Sequence, residues 1–289
     1  MSLPSIGAFF FLVFALSWGL QIAAIQNVGD LENEAAIPYL IAAMFVPALI
    51  TFLFVLPYRA LRATLLWRPA WAMWPLLVVG ALVPTAIAFG VVAVATFMGW
   101  GHSGWFAFAE TGVEISGGPW LLGRGHQPWG LFTANVALTG IAFAAMNALA
   151  AMGEEIGWRG FIQGHLIDRF GSTAAITLLG FMWSMWHLPG QLAGYNFPDY
   201  PELGALVLSP LELIAVSFFL GWLTLQARSF WPAAIAHGAG NSIQEGVTAN
   251  LQLAVPRIYE DLTTLTLTIV VGLICWAMVR ERQPAPSPA

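Results

Sequence analysis

The central stretch of the chain reads Gly153-Glu154-Glu155-Ile156-Gly157-Trp158-Arg159-Gly160-Phe161. It directly follows an apolar run, residues 130–152, that is long enough to cross a bilayer. On a helix, Glu155 and Arg159 are i,i+4 neighbours and can pair, while Glu154 projects about 100° away. Because ionised carboxylates are costly in a membrane helix, they are usually paired or functional. The simpler interpretation is a charge cluster at a helix end, where charges normally collect.

The composition is that of an integral membrane protein. Of the 289 residues, 58% are hydrophobic and 9% are charged, whereas soluble domains average about 25% charged residues. All ten basic residues are arginines and the net charge is -5, which argues against nucleic-acid binding. The single cysteine, Cys275, excludes an intramolecular disulfide and a cysteine-rich zinc site. The length fits one membrane domain, residues 1–289, with a disordered tail at 283–289.

The hydropathy pattern predicts an all-α, polytopic membrane protein with about eight transmembrane helices. The predicted spans are residues 5–25, 37–56, 73–98, 130–152, 174–188, 206–225, 230–247 and 262–279. Eight spans put both termini on one side of the membrane. All arginines except Arg124 and Arg257 fall on that side, so the positive-inside rule predicts cytoplasmic termini in a plasma or inner membrane.

Two later spans each carry a histidine with a partner at i,i+4. Trp183 precedes His187 in the fifth span, and His237 precedes Asn241 in the seventh. A single histidine in a membrane helix is more often a packed, hydrogen-bonded residue than a catalyst. With Glu155–Arg159 at the end of the fourth span, three spans each offer a pair at i,i+4. Packing alone does not require this. The sequence therefore predicts one site, sunk below the cytoplasmic surface.

These residue types suit peptide hydrolysis by activated water. Glu154 could remove a proton from water while His187 orients or shuttles it. His237 and Asn241 could donate hydrogen bonds to the oxyanion of a tetrahedral intermediate. No GxSxG nucleophile motif occurs. The predicted catalytic residues are Glu154, His187, His237 and Asn241.

Other polar residues are assigned supporting roles. The Glu155–Arg159 pair would brace the first carboxylate and compensate a buried charge. Glu245 lies one turn past Asn241 and is a candidate for contact with substrate or water. Zinc held by one glutamate and two histidines is an alternative. HExxH is absent and the ligands would come from three separate helices, so we favour a mechanism without a metal or other cofactor.

The ordered motifs resemble a known family. EExxxR, an aromatic-xxx-His and HxxxN, in that order on successive hydrophobic helices, are similar to the CAAX prenyl protease type 2 and bacteriocin-processing (CPBP, or ABI) intramembrane proteases. The resemblance covers a protease core of about residues 130–245. It implies an eight-helix fold, endoproteolysis near a substrate's C-terminus or within a leader, Glu154 as base with His187, and His237 with Asn241 as the oxyanion hole. The family's second motif usually begins with Phe, where this chain has Trp183.

The predicted partners are a peptide or lipidated protein substrate and the lipid bilayer, with the oligomeric state left open. Two other interpretations stay open. A proton-coupled transporter would also carry buried glutamate and histidine, but it predicts inverted repeats, which are not evident. A catalytically silent relative could act as a membrane scaffold or immunity factor. The intact motif residues argue against this interpretation.

Overall fold

The protein is an α-helical membrane protein, as its composition predicts. The structure is a computed structural model and describes residues 1–69 and 71–279. Within these ranges, six helices are long and apolar enough to cross a membrane: Leu3–Val28, Glu34–Val55, Trp74–Phe97, Trp129–Phe170, Pro201–Ala227 and Ile258–Met278. The predicted tail, residues 283–289, lies outside the described residues.

Two of the eight predicted spans are not among these six. The fifth is a helix of 15 residues, Ser172–Trp186, which is about 22 Å long against a hydrocarbon core of about 30 Å. The seventh is a continuous helical run over residues 231–248 whose middle turn, Gly240–Gln244, is π-helical, and its polar residues leave it less apolar than the six. The number of eight spans therefore stays a prediction, as does the orientation of the termini.

The helices and strands follow one another in a simple order. The helices are α1 Leu3–Val28, α2 Ile37–Val55, α3 Arg59–Arg62, α4 Trp74–Phe97, α5 Trp129–Gly157, α6 Gln163–Phe170, α7 Ser172–Trp186, α8 Leu188–Leu192, α9 Pro201–Leu203, α10 Ser209–Ala227, α11 Trp231–Ala239, α12 Glu245–Thr248 and α13 Ile258–Met278. Further π-helical turns are Trp158–Ile162 and Gly204–Leu208, and 3₁₀ turns are Glu34–Ala36 and Trp71–Met73. The strands are β1 Gly101–Ser103, β2 Phe106–Ala109, β3 Gly112–Ile115, β4 Gly125–Pro128 and β5 Leu251–Leu253.

The described residues form two compact units. Unit 1 contains residues 1–69, 150–233 and 268–279, and unit 2 contains residues 71–149 and 234–267. The protease core expected from the sequence at 130–245 therefore contributes residues to both units.

Unit 1 is built from closely packed helices whose contacts depend on small residues. α1 packs along α2, and α7 packs along α10. A Cβ atom at Gly180 of α7 would lie 2.6 Å from Cα of Ile214 and 2.9 Å from Oγ of Ser217, both on α10. A Cβ atom at Gly157 would lie 2.5 Å from Cβ of Pro47 on α2. Glycine at these positions lets the backbones approach, as at other membrane helix interfaces.

Unit 2 combines helices with two small sheets, whose strands β1–β4 lie between α4 and α5 and whose strand β5 follows α12. Strands β2, β3 and β4 form an antiparallel sheet, and β1 pairs antiparallel with β5. Phe106 stacks on Phe89 with ring centroids 5.4 Å apart, and both rings contact Trp120 and Phe132. The sheets therefore cover part of an aromatic core built on α4 and α5.

Candidate active site

The two glutamates lie at the C-terminal end of α5, and a π-helical turn follows them directly. Glu154 is 2% exposed, while Glu155 and Arg159 are fully buried. π-helical turns occur mostly as single insertions in α-helices and frequently at functional sites. The turn Trp158–Ile162 continues into α6, so the carboxylates lie inside one long helical segment, Trp129–Phe170. They do not mark its end, which argues against the interpretation as a simple helix-end charge cluster.

Arg159 pairs with Glu155 at the predicted i,i+4 spacing. Its Nη1 donates to Oε1 of Glu155 at 2.9 Å, and its Nη2 donates to Oγ of Ser217 on α10, also at 2.9 Å. Its guanidinium carbon lies 4.3 Å from the ring centroid of Trp183, a cation–π contact. A buried charge is tolerated when it is paired and hydrogen-bonded in this way. The arginine thus ties the end of α5 to both α7 and α10.

Glu154 accepts hydrogen bonds from two indole groups. Nε1 of Trp183 donates to its Oε2 at 2.7 Å, and Nε1 of Trp158 donates to the same oxygen at 3.4 Å. Trp158 is itself fully buried and packs against Phe9 and Phe10 of α1, with ring centroids 6.2 Å apart in each case. The carboxylate is therefore held by neutral donors on rigid aromatic side chains. The phenylalanine that usually occupies the position of Trp183 in the resembled family has no donor for this bond.

His187 directly follows the last residue of α7, and its ring is held by the backbone. Its Nδ1 lies 2.9 Å from the carbonyl oxygen of Trp183. Because a carbonyl oxygen only accepts, Nδ1 carries the proton, and in the neutral ring Nε2 is the proton acceptor. The ring also packs edge-on against Trp186 at 4.6 Å between centroids. Trp183 therefore holds both Glu154, through its indole, and His187, through its carbonyl group.

The remaining predicted residues belong to unit 2. His237 is 7% exposed on α11, and Asn241 lies in the π-helical turn that follows. Glu245 begins α12 and interacts electrostatically with His237. Next to the histidine, a Cβ atom at Gly238 would lie 2.5 Å from the backbone nitrogen of Ala148, so α11 lies close against α5 within this unit. That these residues join Glu154 and His187 in one site stays a prediction.

The zinc alternative needs three or more ligands close together. Among residues 1–69 and 71–279, no group of three or more His, Cys, Asp or Glu side chains has a geometry that could hold a metal ion. Oε2 of Glu154 already accepts two indole hydrogen bonds. The zinc alternative predicts that a chelator abolishes cleavage.

Two contacts around these carboxylates and Arg159 were not predicted from the sequence. Trp158 lies at i,i+4 from Glu154, so its spacing could have identified it as a partner of the carboxylate. Ser217 lies 58 residues after Arg159 in the chain, and only the packing of α10 brings it there. No local pattern could have found it.

These features first define a class of protein. It is a polytopic α-helical membrane protein with a buried glutamate that accepts indole hydrogen bonds and a histidine that donates to a backbone carbonyl group. The family follows from comparison with known proteins: residues 136–243 match the family described as type II CAAX prenyl endopeptidase Rce1-like. The family indicated by the sequence motifs is thereby confirmed over this segment. It contains Glu154, Glu155, Arg159, Trp183, His187, His237 and Asn241, and it ends two residues before Glu245. No curated protein gives a significant match to the chain.

Proposed function

We propose that the chain is an intramembrane endopeptidase that hydrolyses a peptide bond with water activated by Glu154 and His187. One observation supports this most strongly: Trp183 holds the carboxylate of Glu154 at 2.7 Å and the imidazole of His187 at 2.9 Å. Both groups are thus oriented before substrate arrives, which is the condition for effective general acid–base catalysis.

In the proposed reaction, Glu154 takes a proton from water, and the resulting hydroxide attacks the carbonyl carbon of the scissile bond. Nε2 of the neutral His187 accepts a hydrogen bond from the same water and orients it. The tetrahedral intermediate then collapses as the C–N bond breaks. Glu154 returns its proton to the departing amine nitrogen, which leaves the enzyme ready for another cycle.

The oxyanion of the intermediate is assigned to His237 and Asn241. An imidazole N–H and a side-chain amide are both suitable donors to a developing negative charge. This part of the proposal rests on the HxxxN motif. Glu245 is proposed to contact substrate or water, because it lies one turn past Asn241 on the same helical run.

Glu155 and Arg159 are proposed to support the site without reacting. Their ion pair is fully buried and leaves no net charge beside Glu154. The guanidinium carbon of Arg159 also lies 4.3 Å from the ring centroid of Trp183. The ion pair therefore limits the movement of Trp183, which contacts both Glu154 and His187. A change in the pair would therefore affect the orientation of the base.

The proposed substrate is a membrane-associated peptide or protein, prenylated or bearing a leader sequence, and the reaction takes place in the bilayer with both termini cytoplasmic. The family match supports a prenylated substrate. The helices long and apolar enough to span a membrane support access from the lipid phase.

The test is cleavage of a panel of prenylated CAAX peptides and leader peptides by the purified protein, with and without a chelator. Wild type is compared with Glu154→Gln, which keeps the size of the side chain but cannot take the proton. Glu114→Gln is the matched control, because that glutamate pairs with a histidine, His126, at 2.7 Å, and is largely exposed on β3. We expect cleavage to be lost in Glu154→Gln, retained in Glu114→Gln and insensitive to the chelator.

Other outcomes have clear meanings. Activity lost to the chelator and restored by zinc would replace the metal-free mechanism with the zinc alternative. If wild type cleaves none of the peptides, the scaffold interpretation is favoured over the peptidase.

A further inference from the structure

We propose that Gln21 and Trp18 of the first helix, α1, are positioning residues for His187. The inference rests on the proposed function, because it concerns the histidine assigned there to water activation. α1 lies outside the matched family segment, residues 136–243. The argument starts from the backbone on either side of the histidine.

The helix that carries His187 breaks at this residue. α7 ends at Trp186, and the short helix α8 begins at Leu188 and contains Pro189. Proline has no N–H, so the carbonyl group of Met185, four residues earlier, loses its usual helical donor. The indole Nε1 of Trp18 donates to that carbonyl oxygen instead, at 3.1 Å.

The side-chain amide of Gln21 takes the place of the next helical hydrogen bond, between Gly190 and Trp186. In a continuous helix, the N–H of Gly190 would donate to the carbonyl oxygen of Trp186. Here Gly190 donates to Oε1 of Gln21 at 3.1 Å, and Nε2 of Gln21 donates to the oxygen of Trp186 at 2.9 Å. Only one orientation of the amide satisfies both bonds. Gln21 therefore replaces one helical hydrogen bond with two and keeps this turn open.

The open turn determines how the imidazole is held. The backbone N–H of His187 donates to the carbonyl oxygen of Ser184, three residues back, at 3.0 Å. The carbonyl oxygen of Trp183, which a regular helix would use for that N–H, accepts from the imidazole Nδ1 instead. Gln21 and Trp18 hold the carbonyl groups of the two residues directly before His187, so they stabilise the backbone that leaves Trp183 available to the ring.

Simple helix packing does not account for Gln21. The side chain is 4% exposed, and burial of an amide in an apolar helix is unfavourable unless its hydrogen bonds are made. Ser17, one turn earlier on the same face, bonds to the carbonyl oxygen of Ala43 on α2. The adjacent polar position thus ties α1 to its neighbour α2, while Gln21 reaches only the break beside His187.

The first test uses Gln21→Ala, Gly190→Ala, the double variant and Ser17→Ala as the matched control. A Cβ atom at Gly190 would lie 3.2 Å from Cδ1 of Leu31 and 3.3 Å from Oε1 of Gln21, so alanine there crowds the same amide. We expect kcat for peptide cleavage to fall roughly tenfold or more in each single variant, with KM little changed, because the base is misplaced and the substrate contacts are kept. The double variant should be no worse than the more impaired single variant, since both changes act on the same amide contact. Ser17→Ala should keep the wild-type kcat.

The second test uses Gln21→Glu and a pH series. An ionised carboxylate can accept from Gly190 but cannot donate to Trp186, whereas a protonated carboxyl group can do both. Cleavage by Gln21→Glu, relative to wild type at the same pH, should therefore rise as the pH falls. A side chain that only fills space would give the same ratio at every pH.

A structural measurement separates this inference from the proposed function. Hydrogen–deuterium exchange of the backbone at residues 187–195 should be faster in Gln21→Ala than in wild type and Ser17→Ala, with exchange at residues 158–170 unchanged. Unchanged exchange at 187–195 would overturn the inference, as would a wild-type kcat in Gln21→Ala. If the wild type cleaves no peptide but Gln21→Ala still exchanges faster than the wild type at residues 187–195, the peptidase proposal fails. The contact between α1 and the helix break at His187 is then still supported.

Discussion

Trp183 donates a hydrogen bond from its indole Nε1 to Oε2 of Glu154 at 2.7 Å, across 29 residues of sequence. The same residue accepts from His187 through its backbone and lies under the guanidinium group of Arg159. The family motif usually has phenylalanine at this position, which provides a ring but no donor. Tryptophan at this position therefore adds a hydrogen bond to the proposed base, Glu154, and also provides a larger ring.

We expect Trp183→Phe to reduce cleavage while leaving the protein folded. The substitution keeps an aromatic ring and the backbone carbonyl that holds His187, and it removes the indole N–H together with part of the ring. A hydrogen bond to a charged group contributes about 1.5–3 kcal/mol, which corresponds to roughly ten- to a hundredfold in kcat/KM if the bond acts in the transition state. The measurement is kcat/KM for the best peptide of the panel.

Trp222→Phe is the matched control for this prediction. Within the part of the chain that the structure describes, the buried indole Nε1 of Trp222 has no hydrogen-bond partner. Its removal therefore takes an N–H from a tryptophan of α10 without breaking a bond. Equal activity of wild type and Trp183→Phe would show that the bond to Glu154 does not contribute to catalysis.

The contacts that could be predicted from the sequence are those set by local spacing. The pair Glu155–Arg159 follows from i,i+4 geometry, and apolar runs of about twenty residues indicate membrane helices wherever they occur. The partners of this pair could not be predicted in the same way. Ser217 is brought to Arg159 by the packing of α10, and nothing in the sequence around either residue specifies the other.

The short strands, the π-helical turn and the partners of Gln21 had weak signals in the sequence. The strands between α4 and α5 have three or four residues each and lie among glycines, so an alternating pattern is too short to recognise. The π-helical turn at Gly240–Gln244 lies inside the seventh predicted span, and no proline marks it. Gln21 was a visible signal, because a polar side chain in an apolar span needs a partner, but its partners lie more than 160 residues away.

Arg159→Leu should destabilise the protein strongly. The substitution leaves the carboxylate of Glu155 buried without its ion-pair partner, and breaking a buried pair in this way costs about 3–5 kcal/mol. The double variant Glu155→Leu with Arg159→Leu should be less destabilised than Arg159→Leu, since it leaves no uncompensated charge. Thermal unfolding of the detergent-solubilised proteins measures both. A double variant as unstable as the single variant would contradict the role of charge compensation.

The surface pair Glu114–His126 provides the comparison for this prediction. Its side chains are 57% and 43% exposed, and exposed ion pairs contribute about 0–1 kcal/mol. Glu114→Gln should therefore leave the unfolding temperature nearly unchanged. A large effect there would indicate that the sheet β2–β3–β4 depends on this pair.

Gly180→Ala should move α7 away from α10 and impair both stability and cleavage. The added Cβ atom would lie 2.6 Å from Cα of Ile214, and overpacking of this kind costs about 1–3 kcal/mol. Because α7 carries Trp183 and leads directly into His187, the shift should also lower kcat. Gly164→Ala is the control, since nothing lies within 4 Å of a Cβ atom at this helical position. It should be neutral or slightly stabilising, so equal behaviour of the two variants would contradict the packing argument.

Asn241→Ala should lower kcat with little change in KM. The proposal assigns the amide of Asn241 to the oxyanion, and loss of one such donor reduces kcat by about 10²–10³-fold. Gln244→Ala changes another amide of the same π-helical turn, Gly240–Gln244, and should keep most of the activity. Steady-state kinetics of the two variants, with unfolding temperatures as a check on folding, separate the roles. A rise in KM at constant kcat in Asn241→Ala would reassign this residue to substrate binding, because a donor used only in the transition state does not affect ground-state affinity.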